Sequence, residues 1–313
     1  MKLSKKYAGI LICSILLSVC VSAQETAPST ETAEKGWQFS GAVTASGSFN
    51  QYKDWQEGGT DTSALGGQVD LEATCLKEHS EWKTNLKVEY GITKSDDEDT
   101  RKAVDKILLK SLYDYKFSHR VGVYARISAD SAITESYKYY EDPVDAVFIN
   151  SRDPESGKTK IKISDAFEPL NLEEGAGLSF LLFKNEDDSR KVTFLLGAAA
   201  RQLVESNYFI ESDDETTETL EFIKIDTYDD IGAEGGLDLT WKIMENARFT
   251  SNAMSFYGVD NEFWKVTWDS SLIINLGKYW GVSLSALMVY DELVFEDPQW
   301  KTTSLITLTY RLF

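Results

Sequence analysis

The chain has 313 residues and a formal net charge of −19, with 51 Asp and Glu against 32 Lys and Arg. That balance argues against nucleic acid or anionic lipid as a partner. A mean hydropathy of −0.30 does not exclude a membrane, because half of each strand in a β-barrel faces a polar lumen and alternation carries the signal.

Lys2, Lys5 and Lys6 precede an apolar run from Ala8 to Val19, and Val21-Ser22-Ala23 follows as a small-residue cleavage site. Residues 1–23 therefore read as a secretory signal peptide. The run is shorter than the roughly 20 apolar residues of a membrane-spanning helix. Leu17-Ser18-Val19-Cys20 departs from a lipidation box at the bulky Val19. Loss of the leader takes Cys13 and Cys20 with it, leaves a net charge of −22, and leaves Cys75 without an internal disulfide partner. Residues 24–36, rich in Thr, Glu and Ala, read as a disordered spacer.

From Trp37 onward the hydropathy has a period of two, which places alternate residues on opposite faces of a sheet. In Trp82 to Ile92, for example, Trp82, Thr84, Leu86, Val88, Tyr90 and Ile92 alternate with Lys83, Asn85, Lys87 and Glu89. Twelve strands are predicted, at 37–51, 62–78, 81–94, 102–117, 119–135, 172–185, 190–205, 232–244, 246–258, 263–276, 279–293 and 299–313. Leu181 and Phe183 blur the alternation of the sixth. Even-numbered strands are followed by tight turns, such as Glu78-His79-Ser80 and Glu245-Asn246. Odd-numbered strands are followed by longer loops, about 36 residues at Ser136 to Asn171 and 26 at Ser206 to Ile231. This predicts an all-β fold over 37–313: a 12-stranded antiparallel transmembrane β-barrel with short periplasmic turns and long extracellular loops.

A soluble sandwich shares the alternation but not the odd-even rule. Nor does it call for aromatic residues at the ends of the apolar faces, where Trp37, Trp82, Tyr90, Tyr113, Tyr115, Trp241, Tyr257, Trp264, Trp268, Trp280, Tyr290 and Tyr310 fall as interface girdles would. An open sheet edge in lipid has no water to bond, so the last strand is expected to pair with the first. Phe313 is the aromatic terminus that barrel-assembly machinery recognises, although it falls in phase with Arg311 rather than Tyr310.

The set opposite the apolar face gives the predicted lumen: Asp70, Glu72, Lys83, Lys87, Glu89, Lys106, Lys110, Asp114, Arg126, Asp130, Arg201, Glu234, Asp238, Lys242, Arg248, Lys265, Asp269 and Arg311. Ten are basic and eight acidic, which argues against a dedicated anion or cation pore. Two readings stand: a narrow aqueous channel whose opposed charges orient a small polar or zwitterionic solute, or a lumen sealed by ion pairs in a structural or surface-interaction barrel.

Acidic segments at Asp96 to Asp99, Glu211 to Glu215 and Asp226 to Asp230 read as solvated loops. They lack the ordered calcium-loop pattern, so no metal or cofactor is assigned. Catalysis is not expected. His79 and His119 both fall in predicted periplasmic turns, where a general base could not reach an outer-leaflet lipid ester, and no nucleophile or zinc motif is present. Gly175, Gly177, Gly232, Gly235 and Gly236 read as points of strand curvature.

Phe49-Asn50-Gln51-Tyr52-Lys53-Asp54-Trp55-Gln56-Glu57-Gly58-Gly59 resembles the Asn-Trp-x-x-Gly-Gly mark of an uncharacterised family of Gram-negative outer-membrane β-barrels known only as a domain of unknown function. Trp55, Gly58 and Gly59 match, and Asp54 stands in place of the asparagine. Arg101-Lys102-Ala103-Val104-Asp105-Lys106 resembles that family's Arg-Lys-x-x-Asp-Lys segment, with Arg101, Lys102 and Asp105 placed to pair inside the rim. Ile163 to Pro169 resembles its Ser-x-Phe-x-Pro approach to the sixth strand. The resemblance spans about residues 37–185 and implies an exported barrel without an assigned substrate. The expected setting is the cell outer membrane, with outer-membrane lipid and lipopolysaccharide, the barrel-assembly machinery and a small polar solute as partners.

Overall fold

The computed structural model describes residues 35–50, 62–95, 100–186, 189–212, 219–293 and 297–312. The expected signal peptide, the loop carrying Trp55, Gly58 and Gly59, the Asp96–Asp99 segment and Phe313 lie outside them.

Twelve strands close into a barrel. They are β1 (Gly36–Asn50), β2 (Thr62–Leu76), β3 (Ser80–Ser95), β4 (Arg101–Lys116), β5 (Val121–Ser131), β8 (Leu170–Lys184), β9 (Arg190–Val204), β12 (Tyr228–Met244), β13 (Ala247–Gly258), β14 (Trp264–Asn275), β15 (Trp280–Asp291) and β16 (Gln299–Arg311). Every barrel neighbour pairs antiparallel. β1 begins at Gly36, inside the expected spacer. β12 begins at Tyr228 rather than 232. The blurred alternation at Leu181 and Phe183 is a register shift against β9, where an extra residue changes which face the chain presents.

Closure is made by β1 and β16 over six register pairs, from Ala42 with Arg311 to Gly47 with Ile306. Thr44 and Thr309 share a side-chain hydrogen bond of 3.0 Å across this seam. The Leu312 N–H donates to the Gly41 carbonyl at 2.8 Å.

The outer face is apolar. Leu237, Leu196 and Ile306 are exposed by 43, 50 and 62%, a pattern that water penalises at roughly 25 cal/mol per Å² and lipid does not. Trp37 and Trp82 meet at 5.7 Å and Tyr279 and Tyr310 stack at 6.4 Å at the end of the tight turns, while Tyr257 and Trp264 meet at 4.9 Å at the opposite end. Trp82 and Tyr90 are separated on β3 by ~26 Å of strand. A tilt of ~40° shortens that to ~20 Å, close to the apolar band of outer-membrane barrels.

The two longest connections, expected as loops, are instead folded. β6 (Ser136–Ile149), β7 (Glu155–Ser164), β10 (Phe209–Glu211) and β11 (Leu220–Lys224) form a four-stranded sheet in the order β10-β11-β6-β7, with β11 parallel to β6. The physical reason is a second apolar core. Ala146, Phe148, Ile161, Phe209 and Phe222 are buried together, and Tyr140, Val144, Ile163 and Leu220 pack against them. The Arg152 guanidinium lies 3.6 Å from the centre of the Phe148 ring and donates to the Lys162 carbonyl at 2.7 Å.

Polar clamps fasten this sheet to the rim. Lys102 Nζ donates to Asp105 Oδ2 at 2.6 Å, to the Glu135 carbonyl at 3.0 Å and to Ser136 Oγ at 3.0 Å. The same Asp105 carboxylate accepts from the Ile133 and Thr134 N–H groups at 2.9 and 3.0 Å. Arg101 stacks at 5.1 Å on Tyr139. On the far side Glu168 accepts from the Asn207 N–H at 3.0 Å, and Asn207 Nδ2 donates to Asp165 at 2.7 Å.

Lys162 bridges Glu135 and Asp165, each at 2.5 Å, and its ammonium holds both carboxyls below the usual carboxylate range. Carboxylates depressed in the folded state stabilise it above their unfolded values near pH ~4, and that stabilisation is lost as the pH falls through the folded values. Amides of β6 and β7 are therefore expected to lose protection selectively on acidification to about pH 3, while the β8–β9 ladder holds. Hydrogen exchange corrected for intrinsic rates measures this, and uniform loss across both regions would show that the clamp does not hold the sheet.

A charged constriction as the candidate functional site

The interior charges fall into two groups, one reached by water and one packed across the lumen at the loop end. Toward the tight turns, Lys83 pairs with Glu72 at 2.8 Å and Lys87 with Glu89 at 2.8 Å; Lys106, nearer the loops, pairs with Asp130 at 3.6 Å. The Lys83 and Lys106 side chains keep 47 and 41% of their exposure, so water reaches them. Lys110, also exposed, lies within electrostatic range of Asp238 and Asp269 on the far wall.

Toward the loops the interior charges are packed against one another. Arg126 on β5 donates through Nε to Glu234 Oε2 on β12 at 2.9 Å, and its Nη2 meets the same oxygen. Tyr124 Oη donates to Glu234 Oε1 at 2.6 Å. Arg126 Nη1 reaches Glu173 Oε2 on β8 at 3.3 Å, and Lys265 on β14 reaches Glu173 Oε1 at 2.5 Å. Arg201 on β9 pairs with Asp291 on β15 at 2.5 Å, with side chains only 3 and 5% exposed. Apart from Arg126 and Glu173, whose strands β5 and β8 are adjacent, these contacts join strands that are not neighbours in the barrel. Desolvated charges are tolerated here because each has an opposite partner, and Glu234 and Glu173 each accept from two side chains.

Aromatic packing completes the constriction. Phe263, Phe256 and Ala199 are buried together with Tyr228 against them, and the Arg201 guanidinium sits 5.2 Å from the Tyr228 ring and 5.6 Å from that of Phe263. Asp230, expected in a solvated acidic loop, is instead buried in β12. It accepts from the Asp260 and Asn261 N–H groups at 3.1 and 3.0 Å, and so ties the β13–β14 connection down.

The other predicted lumen residues are placed as follows. Asp70 accepts from Gln68, Asp238 accepts from Asn252, and Asp114 accepts from Ser179 Oγ at 2.7 Å near the tight turns. Lys242 and Arg248 face each other in register at the turn end and are exposed. Asp269 is exposed on β14 opposite Asn252. Arg311 enters by its backbone pairing with Ala42. His79 and His119 lie in tight turns. No group of three metal-ligating side chains converges among the described residues.

Sequence reasoning missed Tyr124, Glu173 and Asp291. Asp291 continues the inward alternation of β15 and was readable from the period. Glu173 stands beside Glu174, so residue type alone did not mark which of the two faces inward. Tyr124 broke the expectation that aromatic residues face outward.

Gly175, read from sequence as a curvature point, has a different role. A Cβ there would come within 2.0 Å of Glu234 Oε1, so the missing side chain leaves room for the Glu234 carboxylate. Gly175→Ala is expected to displace Glu234 from Tyr124 and Arg126 and to destabilise the barrel by about 1–3 kcal/mol. The temperature of heat-modifiable gel migration reads this, and a transition as high as that of the unaltered protein would sink the assignment.

Two family models match the chain. One, described as "Protein of unknown function (DUF3078)", covers residues 48–137, and the other, "Protein of unknown function, DUF481", covers residues 164–312. Both matches are consistent with the uncharacterised family expected from the sequence. No curated protein matches. Among solved structures, the translocator domain of the autotransporter NalP from Neisseria meningitidis is 10% identical, with 90% of each chain covered and a TM-score of 0.41. An outer membrane channel from Pseudomonas putida F1 is 10% identical over 92% of this chain and 99% of that one, also at 0.41. The transport unit of the autotransporter AIDA-I from Escherichia coli is 9% identical over 97 and 96%, at 0.33. The strand pairing itself, with its apolar outer belt, two aromatic girdles and charged interior, is that of an outer-membrane β-barrel, and it locates the protein in an outer membrane.

Proposed function

We propose that the protein is a passive outer-membrane channel for small polar solutes, narrowed at its loop end by the Arg126–Glu234–Glu173–Lys265 network. The observation that carries this reading is the pair of charge groups in the interior: side chains reached by water, from Lys83 to Lys106, and charge pairs packed across the lumen at the loop end. Near-equal numbers of opposite charges repel neither sign outright and favour solutes of no net charge. The surrounding partners are outer-membrane lipid and lipopolysaccharide, and insertion by the barrel-assembly machinery proceeds through the closing strand β16.

The near-complete burial of Glu234, Arg201 and Asp291 favours a second reading, a closed barrel that presents its folded extracellular sheet to a surface partner. Conductance separates the two. In planar bilayers the full chain is expected to give small ohmic steps. The double substitution Arg126→Ala/Glu234→Ala, which removes both sides of the tightest crossing, is expected to enlarge them. Silence of both proteins at verified insertion would overturn the channel and leave the closed scaffold.

A further inference from the structure

Buried polar atoms in folded proteins are nearly always hydrogen-bonded, because leaving one unsatisfied forfeits its bonds to water without replacement. Among the described residues seven buried side-chain atoms have no such partner, and four of them belong to one constellation: Arg201 Nε and Nη1, Asp291 Oδ1 and Tyr228 Oη. The constellation is closely packed. Arg201 Nη2 is bonded to Asp291 Oδ2, and the guanidinium lies over the Tyr228 and Phe263 rings. The free atoms are therefore those left over after the site has positioned itself.

Their chemistry defines what would complete them. Two N–H groups of a fixed cation offer themselves to an anionic acceptor, one carboxylate oxygen to a cationic donor, and one phenol to either. The ion pair is internally neutral, and so is the wider constriction, where Arg126, Arg201 and Lys265 stand against Glu173, Glu234 and Asp291. A lone anion would be repelled by Asp291 and a lone cation by Arg201. A molecule carrying both charges a few ångströms apart satisfies both ends, and it enters by displacing the side chains that now seal these atoms.

We propose that Arg201, Asp291 and Tyr228 form a binding site for a small zwitterionic solute of α-amino acid type, its carboxylate on the Arg201 guanidinium and its ammonium on Asp291 Oδ1. This rests on the channel reading for its role in transport, but not for binding itself.

Glycine is the probe and glycerol the uncharged control. In planar bilayers millimolar glycine is expected to reduce the current through the full chain in a saturable way that glycerol does not reproduce. Equilibrium binding of labelled glycine to the detergent-solubilised chain is expected to give the same apparent affinity. Tyr228→Phe, which removes one hydroxyl and leaves the ion pair, should weaken both effects several-fold. Arg201→Gln/Asp291→Asn, which removes both charges together, should weaken them by about tenfold or more. Heat-modifiable migration verifies the fold of each variant. Glycine binding without current would sink the channel reading alone. Current without glycine binding would sink the site alone and assign the four atoms to water. Equal effects of glycine and glycerol would overturn the zwitterion as ligand.

Discussion

A sheet surrounded by lipid has nowhere to leave an unpaired amide, and everything else in this molecule is built within that constraint. Each interior edge must find another strand, so the chain must return to its own beginning. β16 does so against β1, with only six register pairs where β1 and β2 share fifteen. The seam is the shortest ladder of the closed sheet. Its Thr44–Thr309 side-chain bond adds a polar tie on the face away from lipid.

Once the backbone is satisfied, the interior sets its own problem. A barrel of twelve strands encloses more space than apolar side chains are called on to fill, and the inward face of this one carries charge. Where water reaches the lumen, as at Lys83, ion pairs are loose and contribute little to stability. Where it is packed, as at Arg201, a charge without a partner would be far more costly, and opposed walls are drawn into direct contact. Gly175 is part of this solution: a missing side chain on β8 gives the Glu234 carboxylate its place between Tyr124 and Arg126.

The extracellular sheet shows that length alone does not make a loop. Between β5 and β8 the chain holds an alternation of its own, Lys158, Lys160 and Lys162 against Thr159, Ile161 and Ile163, and Ile161 is fully buried. Four short strands share one core, and the Lys102–Asp105 clamp anchors them. The Arg101 to Lys106 segment, noticed first as a family mark, thus has a mechanical explanation: it joins the barrel rim to the folded cap.

The sequence by itself determined the barrel. Period two fixes the faces of a strand wherever one face is apolar, and the odd-even rule of connection lengths orders the strands; hence the twelve strands and their tight turns were legible to within a few residues. Contacts across the lumen were not. Arg126 and Glu234 are 108 residues apart, as are no two partners in a local pattern, and period two states only that both point inward. Which inward residues meet depends on register and on the stagger of every strand between them, and a single extra residue near Leu181 and Phe183 shifts the β8–β9 register at its turn end. The pairing of Phe148 with Phe209 and Phe222 is equally non-local, because it requires two connections from different parts of the chain to fold together. Alternation is a property of neighbours in the chain, whereas the constriction and the cap are properties of neighbours in space, and only closure of the barrel brought those together.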